Sequence, residues 1–272
     1  VDKTELKYLL SLLDDDDAIV RQEILSAFTR YGLRLESDIA KFDAAINNYS
    51  RSLLAPILKE NRKKWLSVNW YALNFIDDAD TRLESALNFV DKFLYGLSVD
   101  KSASDYLDII SESFRSKFVN GDEFDLAFYL FKEYGIEGCT EDYYNPFNSS
   151  IRFALEERKG LPITLALIYM LTAKRLGLKV EGCNFPGHFL AKIFVDNKPV
   201  LIDCYNKGKI LYNSDIRKLV GDESFDSVLS LVHNQVDADV IIKRIAANLA
   251  NAYSHVNDRE TSDFFQSLQK TA

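Results

Sequence analysis

The chain has 272 residues, 47% hydrophobic and 12% aromatic, with 11 glycines and 5 prolines. That is enough apolar chain to bury a core, and it excludes a disordered or collagen-like class. The net charge of −8, from 33 basic and 41 acidic residues, excludes duplex nucleic acid as the main partner, because that affinity rests on neutralising phosphates with Lys and Arg.

Residues 3–32 read KTELKYLLSLLDDDDAIVRQEILSAFTRYG. Leu6, Leu9, Leu10 and Leu13 recur at helical spacing, and Val20, Ile24, Ala27, Phe28 and Tyr31 do so again. Asp14–Asp17 lie between the two runs. One of these aspartates is expected to cap the second helix, where negative charge suits the N-terminal dipole. The run lacks the Asp/Asn alternation and the Glu of an EF-hand. Gly32 is the stop. One such HEAT-like hairpin cannot bury both faces, so further helices are expected at 37–47, 51–61, 63–76, 79–96 and 102–118. The basic triplet Arg62, Lys63 and Lys64 is read as a solvated helix face.

No strand pattern precedes residue 170. Residues 123–135 form an amphipathic helix that Gly135 ends, and GIEGCTEDYYNPFNSS (135–150) is a loop. Asn148, Ser149 or Ser150 caps a short helix before Gly160. Pro162 then opens LPITLALIYMLTAKRLGL, which is apolar nearly all round and therefore central. Beyond Gly177 the period shortens. LKVEGCNF, HFLAKIFVD and KPVLIDCYN read as strands, Asp196-Asn197 as a hairpin turn, and KGKILYNS as a fourth strand. Helical patterning returns from 214, ending in a pair, VIIKRIAANLANAYSH and RETSDFFQSLQKT.

The longest apolar run, 163–173, is too short to cross a bilayer, and VDKTELKYLL lacks the form of a signal peptide. Three cysteines without CxxC spacing argue against a disulfide framework or a zinc site. A reduced, cytoplasmic location is expected, with no membrane partner, no metal and no cofactor.

The chemistry-bearing residues stand in a fixed order. Thr164 lies at the start of the central helix, His188 at the second strand and Asp203 at the end of the third. A helix N-terminus followed by a strand His and a strand Asp is the order of papain-like and transglutaminase-like sites, in which a carboxylate fixes the tautomer of the base. The blocks NPFNSSIRFALEERKGLPITLALIYMLTAKRLGL, GCNFPGHFLAKI and LIDCYNKGKIL resemble the signature blocks of the SirB1-like family, a bacterial branch of the transglutaminase-like superfamily; a similar domain occurs in some eukaryotic F-box proteins. The acidic hairpin LLSLLDDDDAIVRQEI resembles that family's start, and residues 241–270 resemble the beginning of a tetratricopeptide-like module.

The resemblance implies an α+β, mainly helical protein. A helical N-terminal region spans 1–98, a transglutaminase-like (papain-like) core with a small antiparallel sheet spans 99–235, and a helical pair spans 236–272. It implies Thr164, His188 and Asp203 as the triad-equivalent positions, with Thr164 standing where active enzymes of the superfamily carry Cys. A thiol titrates near about 8.5, whereas an alcohol lies far higher and needs a poised base and an oxyanion hole. Thr164 therefore has two readings: a nucleophile, or a hydroxyl bonded to backbone near the helix start. His188 is either a base or a core histidine satisfied by Asp203. Cys139, Cys183 and Cys204 are read as small buried hydrophobes. Tyr143, Tyr144, Asn148, Cys183 and Asn184 are the cleft candidates. The expected function is a protein- or peptide-binding or regulatory module without thiol catalysis. The alternative is a hydrolase or acyltransferase on amide or ester bonds that uses the three triad positions.

Overall fold

The structure, a computed structural model, describes residues 3–42 and 46–271. Packing divides them into two compact units, residues up to 71 with 92–100, and residues 72–91 with 101 onward.

In the first unit, α1 (Lys3–Ser11), α2 (Ala18–Tyr31), α3 (Arg34–Ala40) and α4 (Asn48–Ala72) build the helical region. Asp17 caps α2, its carboxylate accepting from Ile19 N at 2.8 Å. Gly32 follows the helix at φ +61, a left-handed backbone that costs glycine little. Leu6, Leu13, Ile24, Phe28, Leu35, Ile39 and Leu54 form one buried cluster. The expected helix over 37–47 is α3, shorter and shifted, and 43–45 lie outside the described residues. The two helices expected at 51–61 and 63–76 are one, running through Pro56. The basic triplet is a solvated face only at Lys64, which is exposed. Arg62 is paired with Glu36 at 2.9 Å and reaches the carbonyls of Phe93 and Leu94, while Lys63 is buried and paired with Glu60 at 2.9 Å. Burying Leu66 and Trp70 on this helix brings neighbouring cations inward, and they are tolerated because carboxylates meet them.

The second unit holds the central helix and the sheet. α5 (Ala79–Tyr95), most of which belongs here, α6 (Ala103–Lys117) and α7 (Glu123–Phe128) precede them, and α6 and α7 each begin with a reciprocal capping box, Ser102/Asp105 and Asp122/Asp125. The helix after Phe128 widens into a π turn over Tyr129–Glu133. Two short strands follow, β1 (Glu137–Gly138) and β2 (Lys159–Gly160), paired in parallel around α8 (Ile151–Glu157). They lie in the stretch expected to hold no strand. Ser150 caps α8, accepting from Phe153 N at 3.0 Å.

The central helix α9 (Pro162–Leu176) has Pro162 in its first turn and every residue from Ile163 to Ala173 buried, as its all-round apolar sequence requires. The sheet is four-stranded and antiparallel, β3 (Glu181–Cys183), β4 (Leu190–Val195), β5 (Lys198–Asp203) and β6 (Lys209–Leu211), in chain order. Asp196 and Asn197 join β4 to β5 with φ of +49 and +61, the paired left-handed geometry of a type I′ hairpin. Lys192 in β4 faces inward at 1% side-chain exposure; its ammonium meets Glu181 at 3.1 Å and donates to the carbonyls of Val232 and Asn234 at 3.0 and 3.1 Å. Four helices close the chain: α10 (Asn213–Val220), α11 (Asp222–Val232), α12 (Ala238–His255) and α13 (Arg259–Leu268). α12 packs on the 3-10 turn Pro146–Ser149 as well as on α13. Among the described residues no helix is long and apolar enough to cross a membrane.

Candidate functional site

All three triad-equivalent residues fall in the second unit, but their surroundings differ. Thr164 occupies the first turn of α9 and is 1% exposed. Its hydroxyl donates to the carbonyl of Asn148 at 3.1 Å, an oxygen that also accepts Leu161 N at 3.1 Å. Among the described residues, no hydrogen bond joins Thr164 to His188.

His188 and Asp203 do meet. His188 precedes β4 and Asp203 ends β5, so hairpin register brings them together, with Nε2 at 2.9 Å from Asp203 Oδ1. The His188 side chain is 22% exposed and that of Asp203 only 5%. Burial pushes the Asp203 carboxyl up, but hydrogen bonds from His188 and from the Asn206 side chain and backbone outweigh it and hold the carboxyl below its usual value. An ionised carboxylate accepts a hydrogen bond from Nε2–H, and in a neutral ring Nδ1 is then the acceptor. No described residue hydrogen-bonds Nδ1. The pair is an imidazole whose orientation is fixed by a carboxylate.

An aromatic surface adjoins the pair. The Tyr205 ring stands edge-on to His188 at 5.9 Å, and Tyr143 stands edge-on to Tyr205 at 6.4 Å. Tyr205 is fixed from below. Its backbone carbonyl accepts Gly138 N at 2.9 Å, its hydroxyl donates to the Cys139 carbonyl, and a Cβ on Gly138 would collide with its ring. Tyr143 and Tyr144 are each 42% exposed, and Tyr144 stacks on His255 of α12 at 3.4 Å between ring centroids. Asn184 is exposed and accepts from Arg244 of α12. Asn148 is buried. It holds the loop from behind, donating to the carbonyls of Asp142 and Tyr143 at 2.8 and 3.1 Å. It therefore ties the Thr164 environment to the tyrosine surface and does not itself line that surface.

Cys139, Cys183 and Cys204 are all free and buried. Cys183 packs in the buried cluster of Phe185, Leu190, Leu201 and Leu211. Burial pushes the Cys139 and Cys183 thiols up to about 11, and the Cys204 thiol well up too. None is poised as a thiolate at neutral pH. Among the described residues no group of three or more His, Cys, Asp or Glu is placed to hold a metal ion.

Sequence reasoning missed Tyr205 and Arg244. Tyr205 sits two residues beyond Asp203, and its proximity to a strand-end carboxylate was a usable signal. Arg244 lies in a helix remote in sequence and carries no local motif.

A transglutaminase-like superfamily profile matches residues 101–247. A UPF0162 protein of Xylella fastidiosa is 36% identical over 134 residues, which is 47% of this chain and 48% of that protein. A UPF0162 protein of Pseudomonas aeruginosa is 31% identical over 122 residues, 43% of each chain. Human F-box only protein 21 is 25% identical over 187 residues, 64% of this chain and 28% of the other. The matched region is thus about half the length of the bacterial relatives or less. No solved structure matches the chain.

Proposed function

The chain belongs to the transglutaminase-like superfamily, and from that premise we propose that it is a SirB1-like peptide- or protein-binding module that works without thiol chemistry. The observation that carries this reading is the state of Thr164. The residue at the superfamily's nucleophile position is buried and spends its hydroxyl proton on the Asn148 carbonyl. An alcohol becomes a nucleophile only when a base takes that proton, and here the proton points at backbone. The retained His188–Asp203 pair, bordered by Tyr205 and Tyr143, offers instead a hydrogen-bonding aromatic surface. Tyrosines supply large contact area at small entropic cost, and an imidazole with a free acceptor nitrogen can receive a peptide N–H. A cytoplasmic setting agrees with three cysteines left as free thiols. Nucleic acid and membrane are not among the partners of this reading.

One observation favours a second reading, hydrolysis of amide or ester bonds: His188 keeps Nδ1 open and its carboxylate behind it, the equipment to activate a water. A single experiment separates the two. Peptide-array binding and hydrolysis of activated esters and peptide amides are measured on the full chain and on the His188→Ala, Tyr143→Ala and Thr164→Val variants. The binding reading expects array peptides whose affinity falls tenfold or more in His188→Ala and Tyr143→Ala, persists in Thr164→Val, and no turnover above buffer. Turnover abolished by His188→Ala overturns it in favour of hydrolysis.

A further inference from the structure

The partly buried arginines of the second unit other than Arg244 are met by acids, Arg82 by Asp239 among them. Arg175 pairs with Glu84 and Asp108 at 2.8 and 2.6 Å, Lys174 with Asp80 at 2.8 Å, and Arg152 with Glu156 at 3.2 Å. Even the cavity of about 280 Å³ lined by Asp80, Glu84, Lys174 and Arg175 has its charges paired internally. Arg244 breaks the pattern. It is partly buried, and among the described residues no carboxylate pairs with it, in a chain with 41 acidic residues. Burial pushes its pKa down from the ordinary value, with Tyr143 opposing that effect. A guanidinium taken partly out of water without a counter-charge is costly. Such a cost is kept at a site that receives its counter-charge from outside.

The geometry around Arg244 is that of a prepared receptor. The guanidinium lies over the Phe189 ring, 5.5 Å from its centroid, and donates one N–H to the Asn184 side-chain oxygen. Ring and amide orient the fork, while Nε and the second terminal nitrogen have no partner among the described residues. Phe189 follows His188 directly and Asn184 lies on the same loop, so the two groups that hold Arg244 belong to the segment that carries His188. We propose that Arg244 is the anchor for a carboxylate of the peptide that lies across His188, either an acidic side chain or a free C-terminus. This rests on the peptide-binding reading and deepens it. A planar carboxylate matches the planar fork. A single guanidinium balances the single charge of a carboxylate, whereas a phosphate at neutral pH carries more.

The test uses the full chain labelled with 15N-arginine and 13C-histidine. Three acetylated alanine pentapeptides serve as probes: one amidated with glutamate at its centre, one amidated with glutamine there, and one of alanine alone ending in a free carboxylate. The Arg244 Nε–Hε signal, assigned by its loss in Arg244→Lys, is followed together with the His188 ring signals. A carboxylate anchor predicts a saturable shift at both residues with at least one acid-bearing peptide, an affinity at least tenfold weaker for the glutamine peptide, and a comparable loss in Arg244→Lys. Whichever acid-bearing peptide binds identifies the source. Because the peptides are compared on the unmutated chain, the test does not depend on a variant folding. Melting is measured in parallel. Removing an unpaired, partly buried guanidinium is expected to leave the melting temperature of Arg244→Met unchanged or raised.

Equal affinity of glutamate and glutamine peptides, with shifts at His188 but none at Arg244, overturns the anchor while sparing the peptide-binding reading. Absence of any shift at either residue at millimolar peptide overturns both. A melting temperature several degrees lower in Arg244→Met, with carboxylate affinity intact in Arg244→Lys, makes Arg244 a structural strut and overturns the anchor.

Discussion

The start of α9 and the face around His188 carry the triad-equivalent positions but differ in burial. On the Thr164 side polar atoms are buried: its hydroxyl bonds the Asn148 carbonyl, and two residues further along that segment Ser150 meets the buried Asp91, which also accepts from Arg152 N at 3.3 Å. His188 is partly exposed, keeps an open hydrogen-bonding position and is bordered by tyrosine. On the binding reading proposed above, the nucleophilic half of the site lies in the core and the recognition half at the surface. The two halves answer to different constraints. Packing and backbone satisfaction rule the first, whereas pre-organised polar groups on rigid strand ends rule the second.

The sharpest way to break the comparison is to ask whether the Thr164 side is dry. Burial raises the Asp91 carboxyl to about 7, opposed by hydrogen bonds from Ser150 and the Arg152 amide. A carboxyl raised on folding adds stability that is fully present below the unfolded value and is lost as pH rises through the folded one. Stability should therefore fall between about pH 4 and pH 7 by on the order of a few kcal/mol. Urea unfolding at pH 5 and pH 8 is expected to show that fall in the parent and a flat response in Asp91→Asn. A flat parent would mean that water reaches this end and the contrast is false.

Next in size is Asp203→Ala. It leaves His188 and both Asn206 donors without their acceptor, for about 2–3 kcal/mol in urea unfolding. The effect should shrink below pH 4. Asp203 is held below its usual value, so its contribution is present above that value and is lost as pH falls through the folded one. The smallest effect belongs to Thr164→Val, about 1 kcal/mol, because the Asn148 carbonyl keeps its bond from Leu161.

The sequence made much of this legible. Unbroken apolar residues placed α9 at the centre, alternation and Asp196-Asn197 located the β4–β5 hairpin, and chain order singled out Thr164, His188 and Asp203. Other features depend on tertiary context. β1 and β2 are two residues each and exist only because their partners arrive from 22 positions apart in the register Glu137–Lys159. The π turn at Tyr129–Glu133 leaves no periodic trace, since it is one widened turn in an amphipathic helix. The break expected at residue 62, between helices at 51–61 and 63–76, is absent, since α4 runs unbroken from Asn48 to Ala72. Arg244 was invisible for another reason: its signal is a missing counter-charge, and only a folded chain shows which charges are absent.

Lys192 carries a consequence of a different kind. Its amine is sealed under the Val232 and Asn234 carbonyls and against Glu181, at 1% exposure. An amine-reactive reagent that decorates the surface lysines must wait there until the segment at 232–234 lifts away. The rate at which Lys192 acquires the label is therefore a clock for that opening, built into the chain without any added probe.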